Sequence, residues 1–147
     1  MIALDTNVLA RFYIEDEADA ESRRQRAIAR AVLASERKFF VPLTVIQELE
    51  WVMRGAYGFA RDEAAKVLDH LLNLPNLDVD AAAAVRQATE WHRRGLDFSD
   101  ALHLALSASC SELATFDRKV ARKVARLRAK PPASVPKVQT TSDPIRR

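Results

Sequence analysis

Four acids stand out from the twenty Asp and Glu residues of this chain by where they fall. Asp5 closes the apolar run Ile2-Ala3-Leu4, and Asp117 closes Leu113-Ala114-Thr115-Phe116. Glu48 comes soon after the run Phe39-Phe40-Val41, and Asp100 opens the apolar segment that precedes the last of these runs. If the runs are buried strands of one parallel sheet, their ends and the helix starts beyond them gather at a single edge. Open α/β sheets bind ligands at that edge. Carboxylates brought together there repel and raise one another's pKa unless a cation neutralises them. A site of oxygen ligands alone suits a hard ion such as Mg²⁺ or Mn²⁺, which in turn docks phosphates. Each acid also has a plainer use. Asp5 and Asp117 can cap the helices that follow, Asp97 and Asp100 have capping-box spacing, and Glu48 can pair with a surface Arg. Position by position, the residues leave both uses open.

Other chemistries find little support. Cys110 is the one cysteine, so no intrachain disulfide can form; it reads as a small helix residue rather than a nucleophile. His70, His92 and His103 lack any spacing expected of a zinc site and read as solvent-facing or core-satisfied imidazoles. With three glycines in all, the chain has no P-loop and no dinucleotide fingerprint. Leu4-Asp5-Thr6-Asn7 has a superficial likeness to the Asp-Thr-Gly of aspartic proteases, but Asn7 replaces the glycine and helices surround it. Asn7 also excludes the paired-Asp phosphatase signature. Trp51 and Trp91 occupy helical positions that suit a core or an interface.

The elements that must position the acids can be read from periodicity. Strands are expected at Ile2–Leu4, Phe39–Val41, Leu77–Val79 and Leu113–Phe116, with one more edge strand near Val138. Helices are expected from Asn7 to Tyr13 and through the segment carrying Ile28, Val32 and Leu33 on its apolar face. A helix capped by Thr44 carries Val45, Ile46, Leu49, Val52 and Met53 and ends near Gly55 and Gly58. Two more cover 61–73 and 81–94, the latter stopped by Gly95. Asp97 or Ser99 caps a helix bearing Leu102, Leu104 and Leu106, and 118–130 forms an amphipathic helix with Val120, Val124 and Leu127 on one stripe. Strands alternating with helices indicate a mainly parallel sheet covered on both faces.

At 147 residues, 48% of them hydrophobic, the chain is long enough for one domain with its own core. Residues 1–130 are expected to form it, with 131–147 a Pro- and polar-rich segment. The chain opens directly into a strand-like run, so neither a secretory leader nor a membrane span is expected, and the lone cysteine fits a reducing cytoplasm. The net charge of +3 hides an uneven distribution: 118–130 holds seven Lys and Arg and no acid, and Arg23, Arg24, Arg26 and Arg30 form a second group. Such patches suit a polyanion, although a solvated helix face gives the same pattern.

The stretches Ile2–Leu9 (IALDTNVL), Val45–Leu49 (VIQEL), Asp97–Ala105 (DFSDALHLA) and Leu113–Asp117 (LATFD) together resemble the PIN-domain superfamily of metal-dependent ribonucleases. Within it, they resemble the VapC-like toxins of bacterial toxin–antitoxin pairs. The resemblance implies a Rossmann-like three-layer α/β sandwich, with a mainly parallel central sheet flanked by helices. It places a Mg²⁺ or Mn²⁺ site on Asp5, Glu48, Asp100 and Asp117, supported by Asn7 and Thr115. Asp97 lies in the same motif, and Asp100 is the expected ligand because it directly precedes the Ala-Leu pair. Arg118, Lys119, Arg122 and Lys123, beside Asp117, would guide RNA phosphates. The resemblance further implies a VapB-like antitoxin, and a homodimer or higher assembly with it. Two other functions share these residues: a non-catalytic RNA-binding module, and a metal-dependent DNA nuclease.

Overall fold

Phe39 and Val41 alternate with Phe40 and drive their side chains into the core, which makes Phe39–Val41 the central strand, β2. The parallel strands β1 (Ile2–Ala3) and β3 (Leu77–Val79) flank it. Parallel neighbours need helical crossovers. These are α1 (Thr6–Tyr13) and α2 (Ala20–Ala34) before β2, then α3 (Leu43–Gly55) and α4 (Arg61–Leu72) before β3. The chain continues through α5 (Ala82–Arg93), α6 (Phe98–Leu106), β4 (Leu113–Ala114), α7 (Arg118–Leu127) and β5 (Ala133–Ser134). This computed structural model describes residues 1–16 and 18–137. Every strand pair in it is parallel and helices flank the strands, as the alternation of elements predicts.

The ladders divide into two: β1-β2-β3 and β4-β5. β1 therefore has a hydrogen-bonded neighbour on one side only among the described residues. That explains a departure from the expected buried first strand. Ile2 and Ala3 are exposed, and Leu4 alone of the run is buried.

The core is built mainly from helix faces. Ile46, Leu49 and Met53 of α3, Leu68 and Leu71 of α4, Val85 of α5, and Phe98 and Leu104 of α6 are fully enclosed. Each such side chain contributes roughly 1.5–3 kcal/mol relative to exposure. No described helix is long and apolar enough to cross a membrane.

Several local expectations need correction. Pro42, not Thr44, is the N-cap of α3; its extended backbone (φ −60°, ψ 148°) lets the helix begin at once. Ile28 and Leu106 are each 51% exposed. In α2 the inward stripe falls on Ala29 and Leu33, which turns Ile28 outward, and Leu106 is the last residue of its helix. β4 ends at Ala114, because the Thr115 hydroxyl oxygen accepts from the Asp117 amide and turns the chain, leaving Phe116 83% exposed. Cys110 is exposed in the turn after α6, and Trp51 points outward whereas Trp91 is buried. The strand expected near Val138 lies outside the described residues; β5 precedes it. Gly95 does stop α5. Its φ of +117° lies where side chains are rarely tolerated, and it allows the sharp turn that leads into α6.

Candidate active site

Asp5 and Glu48 come together because α1 packs on α3. They line one cavity of about 270 Å³ with Thr6, Asn7, Ala10, Arg11, Val52 and Tyr57. Asp5 is the N-cap of α1, and its Oδ1 accepts from the Thr6 amide at 2.8 Å. Its second oxygen takes no hydrogen bond among the described residues. Glu48 is exposed and makes no ion pair there either. The Thr6 hydroxyl is buried without a hydrogen-bond partner. Arg11, which could have neutralised the acids, instead donates from Nε to Gln25 Oε1 at 2.8 Å. Asn7 lines the cavity with its side chain exposed.

A second group lies at the starts of α6 and α7, where Asp100 feels the charges of Asp117 and Lys123. Asp100 is half-buried in the first turn of α6, and its carboxyl is pushed above the usual range. Burial is the largest cause, followed by the negative charges of Asp97 and Asp117; His103 and Lys123 pull the other way. Asp117 is the N-cap of α7, its Oδ1 accepting from the amides of Lys119 (2.9 Å) and Val120 (3.2 Å). Its own amide donates to Thr115 Oγ1 at 3.0 Å, which fixes the Thr115 side chain beneath it. Asp117 Oδ2 stays unbonded among the described residues. Capping and ion binding are therefore compatible at Asp5 and Asp117, since each cap engages one carboxylate oxygen. Asp97 holds the N-cap position of α6 with no side-chain hydrogen bond and reaches Asp100 only through charge. Ser99 is no cap either; its hydroxyl accepts from Gln47 Nε2 at 3.1 Å and ties α6 to the turn of α3 that carries Glu48. Arg118, Lys119 and Arg122 are exposed on α7, and Lys123 is half-buried.

One pair was not singled out from the sequence. Glu50 and His92 are both buried, with Glu50 Oε1 3.1 Å from His92 Nε2 and 3.8 Å from Arg54 Nε. His92 Nδ1 donates to the Leu96 carbonyl at 2.7 Å, and Phe98 meets the imidazole edge-on at 5.5 Å. The Nε2 contact is too bent for a hydrogen bond, so it holds as charge attraction when the imidazole is protonated. The signal was in the spacing: Ile46, Leu49, Glu50 and Met53 share a helical stripe, as do Val85, Ala88, Thr89 and His92.

The donors present suit a hard divalent ion. They are carboxylates without imidazole or thiolate, and each group lacks a bonded counter-charge. The Asp100 carboxyl is raised first by burial and then by its acidic neighbours, and a buried hydroxyl beside Asp5 has no partner. Among the described residues no three His, Cys, Asp or Glu stand close enough to hold one ion together, so the acids form two groups rather than one cage. A comparison with curated proteins found no match. A family model, the PIN domain, matches residues 2–127, from the first residue of β1 to the last of α7. PIN domains are in general metal-dependent nucleases, hydrolases of the phosphodiester bond, and all four candidate acids lie inside the matched span. On that match the chain belongs to the PIN-domain family.

Proposed function

We propose that this PIN domain is a Mg²⁺- or Mn²⁺-dependent endoribonuclease and the toxin of a type II toxin–antitoxin pair, acting in the cytoplasm. The observation that carries the nuclease reading is the half-buried Asp100, whose charge is disfavoured by Asp97 and Asp117 and which sits beside the cationic helix α7. A divalent ion bound by the acids would supply charge for a phosphodiester and make a water more acidic. Asp5, Asp100 and Asp117 would hold the ion or ions directly or through water, the first and last through the oxygens that capping leaves free, since no three described acids stand close enough to share one ion. Glu48, exposed in the Asp5 cavity, would complete the set or orient the attacking water. Asn7 and Thr115 support the acids, and Arg118, Lys119, Arg122 and Lys123 attract RNA phosphates.

The antitoxin reading draws support from a second, largely apolar cavity of about 240 Å³ between α1 and α2. It shares Asn7 and Arg11 with the acid cavity and is edged by the exposed Ile28. An antitoxin segment could seat apolar side chains there and extend a basic one toward Asp5 and Glu48. Trp51, 70% exposed on α3, supports a further contact such as a homodimer.

Incubation of purified protein with single-stranded RNA, single-stranded DNA and structured tRNA in Mn²⁺, with EDTA controls, tests the activity. RNA alone should be cut, and Asp5→Ala and Asp100→Asn should fold yet cut nothing. Full cleavage by either folded variant would refute the site. Cutting of DNA alone would refute the substrate. Expression should arrest growth and co-expression of the neighbouring reading frame should rescue it; harmless expression of active enzyme would refute the toxin role.

A further inference from the structure

The two basic groups of this chain differ in what surrounds them. In the first, Arg24 pairs with Glu21 at 2.6 Å and Arg26 with Glu15 at 3.1 Å. The seven Lys and Arg of 118–130 are a contrast: among the described residues none forms an ion pair or a side-chain hydrogen bond, and the segment contains no acid. Their row begins next to Asp117 and runs the length of α7. A cation row with no ion pair of its own is an electrostatic track for a polyanion.

The far end of the row opens into a cavity of about 830 Å³. Its walls are the start of α5 (Ala81 to Ala84 and Gln87), Trp91, Ala105 near the end of α6 and Ala108 just beyond it, and the residues that follow α7. Arg128 and Lys130 supply its only charges; no acid lines it. The methyl side chains of α5 keep this wall low and give no carboxylate to repel a phosphate. The volume falls within the roughly 300–1,000 Å³ of ligand pockets. From Asp117 to Arg128 the helix rises about 16 Å, a distance that a few nucleotides of extended strand can cover.

We propose that this cavity is a second RNA subsite. It holds a backbone phosphate and its nucleotide remote from the cut, so that the substrate runs along α7 from Asp117 to Arg128 and Lys130. The proposal rests on the ribonuclease reading above. A continuous polyanion fits better than an acidic peptide, because the cations repeat along α7 while its own Val120 and Val124 are buried; the exposed Phe116 lies before the helix, beside Asp117.

The test separates binding from cleavage by using the full chain with Asp100→Asn, in EDTA. Fluorescence anisotropy of labelled single-stranded RNAs of about 4 and about 12 nucleotides, between 50 and 200 mM salt, gives affinity and salt slope. Adding Arg128→Gln and Lys130→Gln should flatten the slope for the longer RNA by about 1.4, the loss of two phosphate contacts on a single strand. The doubly substituted protein then loses about sevenfold less affinity than its parent over that salt range. The short RNA should bind as before, and Arg128→Lys with Lys130→Arg should restore the parent slope. Circular dichroism confirms the fold of each variant. An unchanged slope on the long RNA, or equal changes on both lengths, overturns the subsite. If the wild-type enzyme still cuts RNA in that event, the nuclease reading stands alone. If the wild type neither binds nor cuts RNA, both fall. Displacement of the long RNA by polyglutamate as readily as by unlabelled RNA overturns the proposal in favour of a protein partner.

Discussion

His92→Ala offers the sharpest check on how the site is held. The imidazole is 1% exposed and links three segments: α5 through its own backbone, α3 through Glu50, and the approach to α6 through the Leu96 carbonyl. With the imidazole protonated, removing this partner of the buried pair costs about 3–5 kcal/mol, because the charge of Glu50 is left uncompensated. Here the lower end applies, since Glu50 keeps Arg54 at 3.8 Å and its side chain is 10% exposed. The Leu96 carbonyl, left without its donor, adds about 1 kcal/mol. The expected loss is therefore about 4 kcal/mol, which in a chain of this size lowers the melting temperature by roughly 8–16 °C. Urea unfolding followed by circular dichroism should show a lower midpoint with an unchanged slope. Glu50→Gln keeps the shape and removes the charge, so in the His92→Ala background it should recover part of the loss. A loss below about 1 kcal/mol for His92→Ala, or no recovery with Glu50→Gln, would refute the paired-charge account.

Three further outcomes follow from the same structure. The Asp100 carboxyl is raised on folding by burial and by Asp97 and Asp117, so the folded state holds its proton more tightly than the unfolded chain. Its favourable contribution is complete below the unfolded pKa of about 3.9 and is lost as pH climbs through the raised value, leaving a penalty at neutral pH. Asp100→Asn should thus abolish cleavage while raising the metal-free melting temperature, measured by scanning fluorimetry at pH 7. Asp117→Ala should cost about 1 kcal/mol through the lost cap of α7, whereas Asp117→Asn should keep the cap and lose only activity; denaturant midpoints separate the two. Mn²⁺ should raise the melting temperature of the wild type but not of Asp5→Ala, and a stabilisation that survives Asp5→Ala would place the ion elsewhere.

Periodicity exposed most of the fold because the helices are strongly one-sided. Leu68 and Leu71, or Val120 and Val124, announce their inner faces by spacing alone. Ile28 escaped because small Ala29 took its place on the inner stripe, a choice made by the close packing of α1 on α2 rather than by hydrophobicity. Ile2 and Ala3 looked like a buried strand because an apolar run carries no information about which edges it will share. The acids at strand ends were legible, since a carboxylate closing an apolar run is conspicuous. That no three of them close on one ion was not, because the sequence carries no side-chain distances. His92 proved the core-satisfied imidazole that the sequence allowed, whereas its pairing with Glu50 is visible only in three dimensions.

The separate β4–β5 ladder has a consequence for opening motions. Leu113 to Ser134 is a βαβ unit that satisfies its own backbone through Leu113 to Pro132 and Thr115 to Ser134, without a rung to β1 among the described residues. Such units can open below the free energy of global unfolding. Asp117 travels with this one, whereas Asp5, Glu48 and Asp100 stay with the rest of the chain. Amide hydrogen exchange should therefore sort β4, α7 and β5 into a less protected class than α3 to α6. Nuclease competence would then end at a partial opening, well before the core melts.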